Sequence, residues 1–328
     1  MEVSSVQGGG EGRGHSGAVR EKTSVVRGVL TMTGSAVSNQ IGAGIGAHAF
    51  PTIGPAGVVA VRQLVAAVVL LSVALPPFRR FTWRQWWPVL LLGTATALMN
   101  ICLYMAIDRI GLGLAVTLEF LGPLAVALLA SRSRWDLLCG LSAGAGVFIL
   151  VMPGPSSDFA GIAFALAAAA CWAAYILLNR VAGQRLPGLQ APAAATVISL
   201  VFYLPVAVHL ILQGLLAGSA LLCAVTAGVL CSVVPYAADL VALRHVPAGL
   251  FGVFMSINHI FAALSGTVVL SQVLELHEWA GMVLIVATNA AAIWVAGRRT
   301  KAATWKHGSA VAQQPSGLGR GDQKMAER

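Results

Sequence analysis

Ten apolar stretches, each close to the ~20 residues an α-helix needs to cross a hydrocarbon core, occupy most of the chain: 28–48, 56–76, 88–107, 111–130, 136–152, 159–179, 191–212, 219–241, 248–270 and 278–297. Lipid offers no water to satisfy peptide groups, so a crossing segment must close its own backbone hydrogen bonds. The segments between are short, and most carry Pro, Gly or charge: "PPFRRFTWRQWW", "ASRSRWD", "PGPSSD", "GQRLPGLQ". The pattern predicts an all-α integral membrane protein with ten transmembrane helices. Composition points the same way. Of 328 residues, 57% are hydrophobic and only 10% charged, against about 25% charged in a soluble domain.

Residues 1–27, with "VQGGGEGRGHSG", are Gly-rich and polar and lack the apolar region of a signal peptide. Residues 298–328 are similar, and both read as disordered tails. A net charge of +9 does not imply nucleic acid, because Lys and Arg lie between apolar runs and in the tails. The five cysteines sit in apolar runs without CxxC spacing, which reads as packing rather than metal binding. No cofactor is implied. There is no HExxH, GxxxxGK[ST], GxSxG or strand-borne GxGxxG, so proteolysis, ATP-driven transport and nucleotide redox chemistry have no support. An enzyme is not expected.

With the N-terminus inside, the inner connections hold Arg79, Arg80, Arg84, Arg132, Arg134, Arg180, Arg185 and Arg244, and the outer ones only Arg109. Positive charge marks the cytoplasmic side, so both tails are expected in the cytoplasm. Trp83, Trp86, Trp87, Trp135 and Trp279 fall near predicted interfaces, where indoles prefer to sit.

Shifting the chain by 136 residues lays spans one to four on spans six to nine. Ala106 then meets Ala242, Gly113 meets Gly249, Ala127 meets Ala263 and Leu128 meets Leu264. Each half, 28–152 and 153–297, holds five spans, so the second enters the membrane upside down. Two inverted five-helix repeats with a site at their interface are a transporter architecture.

Several residues are out of place in hydrocarbon. Glu119 lies about nine residues into span four, within "LEFLGPLAVALL". A charged carboxylate facing lipid would cost roughly 2.5–3.5 kcal/mol, so it should face the interior as an amine partner or proton acceptor, or else make a structural hydrogen bond between helices. Gly122 and Pro123 predict a helix break beside it, and proline leaves the Glu119 carbonyl without its amide donor. Asn100 and Tyr104 share one face of span three. Asn39 and Gln40 lie within "SNQIGAGIG", whose glycines allow close approach. Each pair either lines a cavity or joins helices. Arg62 lies inside span two, where it pairs with a substrate carboxylate or Glu119, or snorkels outward. Asp239 lies near an inner helix end, and Asn258 with His259 in mid-span nine; these act in transport or serve as interfacial and packing groups.

Four stretches carry a family resemblance: "GLAVTLEFLGPLAVALLASR" (113–132), "MNICLYMAI" (99–107), "VPYAADLVALRHVP" (234–247) and "MSINHIFAALSG" (255–266). With them, residues 30–297 resemble the EamA-type drug/metabolite transporter superfamily, and within it the threonine/homoserine exporter subgroup. The sequence departs from the family pattern at Asp239 and Gln272, which stand for Glu, and at Asn258 and His259, which stand for Glu and Pro. The resemblance implies a ten-helix secondary active exporter of a small amino acid or related metabolite in the bacterial inner membrane, driven by protons. An exporter of a drug or another metabolite on the same fold stays open, as does a non-transporting membrane sensor or assembly partner. The implied partners are a small-molecule substrate and the lipid bilayer, with a homodimer left open.

Reporter fusions at the N-terminal tail and after Arg299 should be active only where the reporter works in the cytoplasm. Activity of a periplasm-dependent reporter at either end would overturn the arginine-based orientation.

Overall fold

The structure is a computed structural model describing residues 30–129, 134–151, 158–235, 238, 261–272, 274–288 and 290–291. All regular structure among the described residues is helical. Helix α1 covers 30–47, α2 Phe50–Ala74, α3 Trp83–Ile110, α4 Leu112–Glu119, α5 Leu121–Leu129, α6 Arg134–Val151, α7 Phe159–Gly183, α8 Gln190–Leu212 and α9 Gly218–Gly228. Helix α9 runs on through a π-helical turn, Val229–Val233; α10 covers 261–269 and α11 276–288.

Helices α2, α3, α7 and α8 are long and apolar enough to cross a membrane. The expected span 111–130 appears as two helices, α4 and α5, separated at Phe120. Spans eight, nine and ten are described only in part, and Asp239, Asn258 and His259 lie outside the described residues.

Helix boundaries follow local chemistry. The chain turns at Gly54, whose φ of +68° suits only glycine, and Pro55 then starts the long part of α2 as a residue that needs no amide partner. Pro76 and Pro77 follow the end of α2 and cannot extend it. Helix α3 starts with a capping box: Gln85 Oε1 accepts the Thr82 amide at 2.9 Å. Its 28 residues make about 42 Å at 1.5 Å per residue, longer than the bilayer core. The excess carries Trp83, Trp86 and Trp87 at one end and Asp108 and Arg109 at the other.

Small residues are concentrated inside, beside a few fully buried large ones such as Leu70, Leu92, Tyr104 and Leu118. The buried set is rich in alanine, including Ala60, Ala97, Ala106, Ala165, Ala168 and Ala224, while Leu64, Val68, Leu91, Phe148 and Phe202 are exposed. Helix association in lipid depends on close backbone approach rather than on hydrophobic burial, and this distribution fits that. Helices α3 and α7 form the most extensive contact, followed by α2 with α8, α3 with α8 and α2 with α9. At one end of α7, Asp158 accepts the Gly161 amide at 2.8 Å and meets Arg109 Nη1 at 3.2 Å. The Gly161 amide, helped by Arg109, holds the Asp158 carboxyl below its usual range. Protonating it at low pH therefore removes a tie between α3 and α7 that is intact at neutral pH.

Gly122 and Gly144 make a matched test. A Cβ on Gly122 would overlap the Ala169 carbonyl of α7, whereas one on Gly144 meets nothing. Gly122→Ala is expected to destabilise the protein by about 1–3 kcal/mol, and Gly144→Ala to leave it unchanged, by thermal unfolding in detergent. Equal melting of the two variants would contradict this packing.

Candidate functional site

Five polar side chains from four helices meet in one internal cavity of about 70 Å³: Asn39 and Gln40 from α1, Arg62 from α2, Tyr104 from α3 and Glu119 from α4. A water needs roughly 10–15 Å³ by a comparable measure, so several waters or a small polar ligand fit. Trp172 of α7 and Phe120 form an apolar wall. Depth explains the convergence. Gln40, Arg62, Tyr104 and Glu119 each lie six or seven residues from the same end of the bundle, counted from 47, Pro55, Ile110 and Leu112. At 1.5 Å per residue that is about 10 Å, level with one another and inside the apolar zone.

Glu119 is 5% exposed and ends α4. The break falls at Phe120 rather than at Gly122–Pro123. Pro123 has no N–H to give the Glu119 carbonyl, and its ring crowds the carbonyl one turn earlier, so the disruption appears there. Phe120 still donates its N–H to the Val116 carbonyl at 3.2 Å, and the helix resumes at Leu121. Gly122 lets α5 lie against the α7 backbone. The Phe120 ring meets Trp172 edge-on at 4.5 Å. One break thus positions the carboxylate and the aromatic wall beside it.

Arg62 turns into the bundle instead of snorkelling. Its Nη1 donates to the Tyr104 hydroxyl at 3.0 Å, and its guanidinium carbon lies 5.3 Å from the Tyr104 ring centre. Tyr104 is fully buried and packs against Phe50 at 5.8 Å. The cavity therefore holds a guanidinium and a carboxyl group together, which suits a ligand carrying both an amine and a carboxylate.

Helix α1 is fixed through its backbone. Gly42 faces Leu230 and Cys231, Gly44 faces Ser265 and Val269, and Gly46 faces Val58 and Ala227. Cys231 donates to the Asn39 carbonyl at 3.1 Å and Ser265 to the Gln40 carbonyl at 2.9 Å. The glycines thus admit neighbouring helices, and the π-helical turn of α9, a device frequent at functional sites, is one of them.

Asn100 is buried but does not line the cavity; its amide donates to the Thr96 carbonyl of its own helix at 2.8 Å. Gln272 accepts the Leu112 amide at 3.1 Å and sits against Gly111 and Gly266, capping the start of α4. Sequence reasoning missed Trp172. Its signal was position: it lies well inside α7, away from the interface an indole prefers. It also missed Gln63, which donates to Ser199 at 2.8 Å in a buried contact between α2 and α8.

Residues 159–293 match the EamA-like transporter family. The chain is similar to the threonine/homoserine exporter RhtA of Salmonella typhimurium (strain LT2), with 33% identity over 264 residues, 80% of this chain and 89% of that protein. It is likewise similar to the threonine/homoserine exporter RhtA of Escherichia coli (strain K12), with 33% identity over 258 residues, 77% and 86% of the two chains. A solved protein structure shares the fold, with a TM-score of 0.53 and 18% identity, covering 83% of this chain and 99% of that one.

Tyr104→Phe keeps the ring beside Arg62 and removes the acceptor. It is expected to cost about 1.5–3 kcal/mol, the usual range for a hydrogen bond to a charged group, read from thermal unfolding of the purified protein. A wild-type melting temperature would mean the Arg62–Tyr104 bond contributes nothing.

Proposed function

We propose, since the chain belongs to the EamA-like transporter family, that it exports a small amino acid such as threonine or homoserine by exchange with protons. It is a multi-pass membrane transporter and not an enzyme. The observation that carries the proposal is the presence of Glu119 and Arg62 together in the lining of one polar cavity. Glu119 binds the substrate ammonium, and the carbonyl it exposes at the helix break serves as a second acceptor. Arg62, steadied by Tyr104, binds the carboxylate. Asn39 and Gln40 complete the polar lining, and Trp172 and Phe120 limit the side chain that fits. Asn100 stiffens the α3 face that carries Tyr104. Asp239, Asn258 and His259 take part in transport from spans eight and nine.

The fold behind this reading is ten helices in two inverted repeats, 28–152 and 153–297, between cytoplasmic tails 1–27 and 298–328 in the inner membrane. One contact supports the duplication. Gln63 and Ser199, which bond each other, are separated by 136 residues, the offset that superposes the halves. A two-fold axis brings a residue against its own equivalent only on the axis. The contacts of α3 with α8 and of α2 with α9 are mates under the same operation. The family match at 159–293 falls within the second half.

A carboxyl that holds either a proton or an ammonium, never both, couples their movements in opposite directions. Glu119→Gln keeps the shape and removes the titration. In everted vesicles it is expected to abolish substrate-driven proton movement and net export while reaching the membrane at normal levels. Wild-type export with unchanged pH dependence would make Glu119 a structural acid. An exporter of another metabolite on this fold is the competing reading, favoured by the amide at Gln272; its capping bond to Leu112 gives that amide a structural task instead.

A further inference from the structure

Far from the cavity, two connections carry charge of one sign. Residues 75–88, between α2 and α3, contain Arg79, Arg80 and Arg84. Residues 180–190, from the end of α7 to the start of α8, contain Arg180 and Arg185, and neither stretch has an Asp or Glu. The two form one surface. Gln85 Nε2 donates to the Arg185 carbonyl at 3.2 Å, Arg185 Nη1 donates to the Arg84 carbonyl at 2.5 Å, and the Arg185 guanidinium lies 4.8 Å from the Trp87 ring. Beneath them Val89, Leu92, Ala182, Leu186 and Ala191 make a separate small core, with Phe78 and Phe81 packed against it. Packing therefore holds the two connections together.

All five arginines are exposed. Among the described residues none of them forms an ion pair; the pairs present are Arg109–Asp158 and His277–Glu275. The charge is available to a ligand from outside the described part of the protein. Its neighbours indicate which kind. Phe78, Phe81 and Trp86 form an aromatic cluster, with ring centres 5.5–6.2 Å apart, and Trp83 is 72% exposed. An exposed indole beside lipid-facing helix ends sits at headgroup depth, which places the guanidinium groups level with lipid phosphates. Guanidinium forks match phosphate oxygens in geometry as well as charge. A soluble acidic partner would use the arginines but would have no use for that depth.

We infer that the joined α2–α3 and α7–α8 connections form a binding site for the phosphate groups of anionic phospholipids. The site straddles the two proposed halves, so a bound lipid ties α2 and α3 to α7 and α8 at the end of the bundle farther from the cavity. It does not depend on what the cavity carries.

The test uses the full chain purified in detergent and titrated with phosphatidylglycerol or phosphatidylcholine, with thermal unfolding and binding as readouts. Phosphatidylglycerol should stabilise the wild type and phosphatidylcholine should not. Each arginine near an anionic surface contributes about fivefold, so R80Q/R84Q should bind phosphatidylglycerol roughly 25-fold more weakly, while R80K/R84K keeps most of the affinity. If R80Q/R84Q fails to reach the membrane, R185Q carries the same test, with about a fivefold loss. Three results would overturn the site: equal affinity in wild type and glutamine variants, no preference over phosphatidylcholine (expected if the arginines serve an acidic protein), or equal stabilisation by inorganic phosphate alone.

Discussion

A carboxylate and a guanidinium share one cavity inside a bundle whose outside is hydrocarbon, and much of the architecture follows from keeping them there. Either group is costly on a lipid-facing surface. Enclosing Glu119 and Arg62 among closely packed helices avoids that cost. That packing is made by small residues: Gly42, Gly44 and Gly46 bring α1 against α9, α10 and α2, and Gly122 brings α5 against α7. The interruption at Phe120 leaves the Glu119 carbonyl without an amide donor from Pro123. Irregular backbone is tolerated at membrane depth where it lines a cavity or is buried in protein, and this break does both.

Among the described residues, the five polar side chains that line the cavity lie in 28–152, and Trp172 joins them from 153–297. At the 136-residue offset of the proposed repeat, Arg62, Tyr104 and Glu119 correspond to Ile198, Leu240 and Met255, none of which is charged. The second half acts on the first through packing and backbone bonds, as Cys231 and Ser265 do at the Asn39 and Gln40 carbonyls. Under the proposed inverted-repeat mechanism, substrate charge would stay with one half while the other moves against it.

Much of this was legible in the sequence because lipid imposes a simple length rule. Spans two, three, six and seven emerged within a few residues of their expected edges, apart from the longer start of α3 among its tryptophans. Glu119, Arg62 and Tyr104 stood out because each is costly in hydrocarbon. What periodicity could not resolve was the direction a side chain takes. Arg62 lies close enough to a helix end to snorkel, and only Tyr104, 42 residues away, shows that it turns inward. Asn100 and Tyr104 share a face, yet the Asn100 amide is taken by its own helix. The break moved from Gly122–Pro123 to Phe120 because proline acts on the carbonyl one turn before it. Trp172 was hidden among five other tryptophans read as interface anchors, and its partner Phe120 belongs to a different span.

The central claim is that one cavity reads both ends of a zwitterion, the amine through Glu119 and the carboxylate through Arg62. The most direct measurement is binding of threonine to the purified protein, compared with threonine amide and N-acetylthreonine. Blocking either end should abolish binding, and Glu119→Gln should weaken threonine while leaving N-acetylthreonine no worse. If either blocked compound binds as tightly as threonine, the cavity does not recognise both charges and the account fails.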